Sequence, residues 1–214
     1  DRAIAIDENI ENVWNYKSIT LRILEQYEDA LKCSIKSLII DEHDGWAWYN
    51  KGIVLANLER YQDTLECFDR AISLDNNNVS VFFDKGRILA IIGKNEEAIE
   101  CYDRALSLDN NNVSLLLFKG LSLRNIKQYQ YSFECYDRAT TIVEGFHFDK
   151  VRGEAWLEKG IALTYLNEFK KAIECYDRVI LFEPNNVDAW LNKGHALGNT
   201  KKALHCYNKV ISLG

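Results

Sequence analysis

The stretch Trp48-Tyr49-Asn50-Lys51-Gly52-Ile53-Val54-Leu55 decides the fold, because the chain writes it repeatedly. Lysine-glycine pairs stand at Lys51-Gly52, Lys85-Gly86, Lys119-Gly120, Lys159-Gly160 and Lys193-Gly194, with the glycines stepping by 34, 34, 40 and 34 residues. An earlier copy, Lys17-Ser18, puts serine in the glycine place. A large apolar residue stands four before each glycine (Trp14, Trp48, Phe82, Leu116, Trp156, Trp190), and a leucine three after it (Leu21, Leu55, Leu89, Leu123, Leu163, Leu197). Spacing of i, i+4, i+7 is one stripe of a helix. A mid-helix glycine costs up to about 1 kcal/mol against alanine. Its return in copy after copy therefore predicts a neighbour that must come close to the backbone there.

A second stripe follows each first. It reads Thr64, Cys67, Phe68, Ala71, Leu74 in one copy and Ala98, Cys101, Tyr102, Ala105, Leu108 in the next, again a helix with one apolar face. Short linkers such as Gly93-Lys94-Asn95 separate the two stripes, and asparagine runs such as Asp75-Asn76-Asn77-Asn78 separate the copies. Each unit is helix, turn, helix, turn. One such hairpin cannot bury both stripes alone, so copies must stack.

The pattern resembles the tetratricopeptide repeat family, whose aromatic, glycine, small residue, aromatic and proline appear together as Trp156, Gly160, Ala172, Tyr176 and Pro184, with Val179 in the alanine place. The resemblance implies an all-α fold, a right-handed superhelical solenoid of antiparallel helix-turn-helix hairpins. Residues 1–10 are expected to be the tail of a preceding repeat. Repeats are expected at 11–44, 45–78, 79–112, 113–152 with a six-residue insertion, 153–186 and a shortened 187–214, all within one domain. The chain departs from the pattern in its loop prolines, replaced everywhere but at Pro184, and in the lysine column at Lys17, Lys51, Lys85, Lys119, Lys159 and Lys193.

Composition excludes several classes of function. Net charge is −6 with no basic block, so nucleic acid is not an expected partner. No apolar run reaches the ~20 residues that cross a bilayer, and no secretory signal opens the chain, so a cytoplasmic location and no membrane partner are expected. There is no methionine, the first position included, so the chain is expected to be a piece of something longer. Cys33, Cys67, Cys101, Cys135, Cys175 and Cys206 fall in one column, too far apart between stacked hairpins for disulfides, and read as small core residues. Neither paired Cys/His spacing nor a catalytic motif is present, so no metal, no cofactor and no enzyme activity are expected. Asp69, Asp103, Asp137 and Asp177 form a further column, expected to pair with the lysines, Lys85 with Asp103. Ser80 and Ser114, each following a turn asparagine, are expected to cap helices.

By resemblance, the first helix of each hairpin lines a concave groove. Its expected contact residues are Arg22, Arg87 and Arg124 as basic points, with Trp46, Tyr49, Phe83, Leu117 and Leu157 as apolar ones. Asn50, Asn57 and Asn125 are expected near its edge. Arg87 and Arg124 interrupt otherwise apolar or small rows and are the sharpest of these. Phe146 and Phe148 in the insertion are a second candidate contact. Some co-chaperones of the family grip a carboxylate with a lysine-asparagine-arginine clamp, and those residues are missing from the matching rows here. The function implied is a scaffold holding a protein or peptide segment, one able to offer a carboxylate to an arginine. A self-associating array, or a regulatory module of an enzyme lying outside this chain, are the alternatives.

Overall fold

The computed structural model describes residues 11–144 and 149–214. Among them are helices α1 (Glu11–Ile23), α2 (Tyr27–Ile40), α3 (Gly45–Asn57), α4 (Tyr61–Leu74), α5 (Val79–Ile91) and α6 (Asn95–Leu108), then α7 (Val113–Asn125), α8 (Tyr129–Val143), α9 (Asp149–Tyr165), α10 (Phe169–Phe182), α11 (Val187–Leu197) and α12 (Lys201–Leu213), with no strand among the described residues. The chain divides into two compact units, one ending at Asp109 and one beginning at Asn110. In the first, α1 packs on α2, α3 on α4 and α5 on α6, and each hairpin stacks on the next through α2–α3 and α4–α5. The second repeats this with α7–α8, α9–α10 and α11–α12, stacked through α8–α9 and α10–α11. The fold is an all-α solenoid of helical hairpins.

The repeated glycine is explained by the ring beneath it. A Cβ placed on Gly86 would come within 2.5 Å of Tyr102, on Gly120 within 2.6 Å of Tyr136, and on Gly160 within 2.5 Å of Tyr176. Those three rings are fully buried, so none can swing away. Gly52 meets Phe68 and Gly194 meets Tyr207 in the same way. The first hairpin keeps the rule with different residues: the ring position is Ser34, and with no ring to admit, Ser18 replaces glycine and its hydroxyl donates to the Ala30 carbonyl at 2.8 Å.

Turns inside the hairpins use a left-handed residue. Glu25, Glu59, Lys127 and Asn167 have φ of 59°, 58°, 63° and 61°, and Gly93 has 83°. Each lets the next amide reach back to the stripe leucine carbonyl, as Arg60 N–H does to Leu55 and Lys94 N–H to Leu89, both at 2.9 Å. This six-to-one bond ties off the orphan carbonyls of a helix end.

Turns between hairpins are closed by asparagine or aspartate. Asp44 accepts from Trp46 N–H, Asn78 from Ser80 and Val81 N–H, Asn112 from Leu115 N–H and Asn186 from Ala189 N–H. The caps are thus Asn78 and Asn112, not the serines that follow. A side-chain carbonyl oxygen two residues earlier reaches the orphan amides, leaving Ser80 and Ser114 already helical and exposed. At the corresponding place before Gly153 stands Arg152, which cannot cap, and α9 begins four residues earlier, at Asp149. Phe146 and Phe148 lie outside the described residues. In the last hairpin the helices give up the three missing residues and the turn keeps its length: α11 stops at Leu197, Gly198 takes φ 61°, and α12 starts at Lys201 behind Thr200, which accepts from Ala203 N–H at 3.1 Å.

The lysine column does meet the aspartate column, but one hairpin further back than the sequence reading placed it. Lys85 Nζ lies 2.5 Å from Asp69, not beside Asp103, while Lys159 lies 2.7 Å from Asp137 and Lys193 2.5 Å from Asp177. Each rung therefore ties a first helix to the second helix of the preceding hairpin. The aspartates are about half exposed, so a rung contributes modestly. Several of these lysines also lie over the tryptophan one turn back, with Lys51 4.9 Å from Trp48 and Lys159 4.6 Å from Trp156.

Candidate functional site

The first helices of the first unit, α1, α3 and α5, place their off-core residues on one face. Of the contact residues expected from the sequence, Arg22, Asn57 and Arg87 line a cavity of about 320 Å³ there. Arg22 comes from α1, Ile53, Ala56 and Asn57 from α3, and Asp84, Arg87 and Ile91 from α5, with Tyr61 and Phe68 of α4 behind them.

Its charges are organised around Asp84, which the sequence reading passed over. The Tyr49 hydroxyl donates to Asp84 Oδ2 at 2.7 Å, and Arg87 Nη1 to Oδ1 at 3.0 Å. Burial holds the Tyr49 hydroxyl protonated well above the ordinary tyrosine range, and the Asp84 carboxylate adds to this, so Tyr49 is a donor at every relevant pH. Arg87 also lies 5.8 Å from the Phe83 ring. Arg22 differs. It is half-buried at the cavity wall, and among the described residues it meets no carboxylate. Asn57, exposed, has turned its amide to its own helix, donating to the Ile53 carbonyl at 2.7 Å.

One of the expected groove residues sits elsewhere than expected. Asn50 is buried and donates to Asn15 Oδ1 at 3.0 Å, a polar clasp between α1 and α3, so it is not at a groove edge. The Asn50 amide thereby finds an acceptor, while Asn15 Nδ2 stays buried without a hydrogen-bond partner among the described residues. Trp46 is 37% exposed and stands edge-on to Tyr16, ring centroids 5.6 Å apart, as an aromatic step at the start of α3.

The second unit uses the same rows differently. Arg124 of α7 is salt-bridged to Glu158 of α9, and both side chains are largely withdrawn from water. Burial raises the Glu158 carboxyl above the ordinary range, outweighing the Arg124 charge that pulls the other way. Leu117 is buried, Leu157 packs against the core around Trp156 and Tyr176, and Asn125 is exposed. What remains open beside Leu117, Glu154 and Glu158 is only about 40 Å³.

Cys33, Cys67, Cys135, Cys175 and Cys206 are buried and Cys101 is half-buried, and burial lifts the thiols of Cys67, Cys101 and Cys175 to about 11, which leaves them protonated and poorly nucleophilic. Among the described residues no helix is long and apolar enough to cross a membrane.

Comparison with known proteins agrees with this architecture. The tetratricopeptide repeat profile matches residues 45–78 and 153–186, and a second profile, TPR repeat, matches 86–123. No curated protein sequence matches the chain. Among solved structures, YrrB, described as a TPR protein with an unusual peptide-binding site, superposes with a TM-score of 0.73 at 22% identity over 88% of this chain and 94% of its own. MamA from Desulfovibrio magneticus RS-1 gives 0.74 at 19% identity, covering 82% and 96%. PilF of Pseudomonas aeruginosa gives 0.75 at 18% identity, covering 97% and 89%. At these identities the likeness is one of fold. With the glycine-on-ring packing, the stacked hairpins and the matched profiles together, the chain belongs to the tetratricopeptide repeat family.

Proposed function

We propose that the chain is a protein-interaction scaffold, and that its first unit holds a peptide segment or helix of a partner on the α1–α3–α5 face. The observation that carries this reading is Arg22, a cation with no carboxylate among the described residues, at the wall of a cavity that mixes polar groups with apolar side chains. A ligand carboxylate supplied there forms a charge-assisted bond, and such bonds contribute about 1.5–3 kcal/mol each. Ile53 and the half-exposed Ile91 offer area for flanking apolar side chains. Arg87 is a secondary contact, because Asp84 already takes part of its charge. Arg124 is not proposed as a contact, since Glu158 takes it up inside the fold. YrrB, a TPR protein described as binding peptide, is of the same fold and supports a peptide as the occupant.

Site-specific photocrosslinking tests this. A benzophenone residue at Ala56 is expected to capture a partner polypeptide, while one at Thr164 of α9 captures none. Arg22→Glu abolishes the Ala56 product while the circular dichroism of the chain stays unchanged. Equal capture at Thr164, or a product that survives Arg22→Glu, contradicts the reading.

Self-association has one observation in its favour. Leu204 and Ile211 of α12 are 60% and 76% exposed, whereas their counterparts Leu31, Leu65, Leu38 and Leu106 are buried. On this second reading, sedimentation velocity shows mass rising with concentration, and Leu204→Lys with Ile211→Lys returns the chain to a monomer.

A further inference from the structure

The lysine-aspartate ladder has a gap. Ile35 occupies in α2 the place that Asp69 occupies in α4, so the rung that ties Lys85 to Asp69 has no carboxylate for Lys51. Among the described residues Lys51 meets no carboxylate, and its amine rests over the Trp48 ring at 4.9 Å. Around it opens a groove of about 490 Å³ between α2 and α4, floored by Leu31, Ile35, Trp48 and Leu55. Lys51 and Leu55 point to the side of α3 away from Ile53 and Ala56, so this groove is separate from the cavity at Arg22.

The substitution changes the chemistry of the surface twice. It leaves a cation unneutralised, and it adds apolar area, because Ile35 is 42% exposed and Ile39, one turn on, is 77% exposed. The rim carries Arg60, Arg70, Asp63 and Glu66. Arg60 and Asp63 satisfy each other at 2.5 Å, and the groove as a whole, Lys51 included, keeps one net positive charge. The surface thus presents one positive charge beside two exposed isoleucines and a tryptophan. Its complement is a carboxylate flanked by apolar side chains.

We propose that this outer groove is a second docking site, which takes an acidic segment of a partner protein and seats one aspartate or glutamate side chain on Lys51. Apolar neighbours of that residue pack on Ile35, Ile39 and Trp48. The ligand carboxylate stands where Asp69, Asp137 and Asp177 stand in the other rungs, at 2.5–2.7 Å from the lysine amine. The partner completes the ladder.

The probe is the acetylated, amidated peptide Ala-Leu-Asp-Ile-Ala, compared with its asparagine counterpart by two-dimensional amide NMR of the whole chain. The aspartate peptide is expected to shift the Trp48 indole and the amides of α2 and α4. It binds at least tenfold more tightly than the asparagine peptide, and more weakly as salt is raised. Lys51→Met, which keeps the aliphatic stem, weakens binding at least tenfold, as does Lys51→Gln. Ile35→Asp supplies the missing carboxylate from within and blocks the site to the same extent. Arg22→Glu leaves binding unchanged, so failure here is distinguishable from failure of the inner-face reading. Equal affinity for both peptides, full affinity in folded Lys51→Met, shifts centred on Ile53 and Ile88, or no shifts at millimolar peptide would each overturn the proposal.

Discussion

The two units place the same helical rows on their first-helix faces and spend their charges in opposite ways. In the first, Arg22 stands at a cavity of about 320 Å³ with no carboxylate among the described residues, and Asp84 is shared between Tyr49 and Arg87. In the second, Arg124 is taken by Glu158 and the space left beside that glutamate is about 40 Å³. One carboxylate decides the difference. Glu158 is placed to reach back to the arginine of the preceding hairpin, whereas the same column of α3 holds Asn50, which is buried and turned to Asn15. An arginine satisfied inside the fold serves stability. One left open serves a ligand.

The largest expected effect comes from breaking the closed pair. Glu158→Leu strands Arg124 and is expected to cost about 3 kcal/mol in denaturant unfolding, whereas Arg124→Met with Glu158→Leu returns stability to the original level or above. Arg22→Met, in the open unit, changes stability by less than about 0.5 kcal/mol. Equal losses in the two units would erase the contrast. The pair also has a pH signature. Because burial raises the Glu158 pKa, the folded chain keeps a proton that the unfolded chain has released just above the ordinary carboxylate range. Stability therefore falls as pH rises through that window. The double variant is expected to lose this slope, read from denaturation midpoints across the acidic range.

Next in size is the packing that both units share. Gly86→Ala pushes a methyl into the Tyr102 ring and is expected to cost about 1–3 kcal/mol. In a Tyr102→Ala background the same change becomes neutral or gains up to about 1 kcal/mol from helix propensity. Additive losses in that double-mutant cycle would mean the ring is not what demands glycine.

Tyr49→Phe sharpens the electrostatic side of the comparison. It removes one of the two donors to Asp84 and is expected to cost about 1 kcal/mol, with no counterpart in the second unit. The smallest effect lies in the turns: Glu59→Gly in one unit and Lys127→Gly in the other each gain about 0.5 kcal/mol in thermal unfolding, because glycine adopts the left-handed turn without strain but loses more freedom on folding.

The hairpins were legible because two periods coincide in the sequence, the helical one within each stripe and the 34-residue one between copies. The glycine could be read as a close approach, and the ring it accommodates stands in the same column of the second stripe. Helical periodicity assigns a residue to a face but does not say which neighbouring hairpin that face meets, so Lys85 was matched to Asp103 when Asp69 is its partner. For the same reason Asp84 and Glu158 went unnoticed, although a signal existed: both lie two residues before a repeated glycine, in the column of Asn50. Asn50 itself reads as a surface amide until Asn15, from the neighbouring column of the preceding first helix, is placed 3.0 Å away. The left-handed turn residues were not legible, since glutamate, lysine and asparagine at Glu25, Glu59, Lys127 and Asn167 carry no mark of a positive φ. There the six-to-one hydrogen bond and the leucine beneath it impose the conformation.

The most direct test of the account is a selection of displayed peptides on the intact chain, followed by binding to Arg22→Glu and to Arg124→Met/Glu158→Leu. The enriched peptides are expected to carry an aspartate or glutamate, or a free C-terminus, among apolar residues. Their affinity falls at least tenfold in Arg22→Glu and is unchanged in the second-unit variant. Peptides without a carboxylate, or binding lost with the second-unit pair and retained in Arg22→Glu, would contradict it.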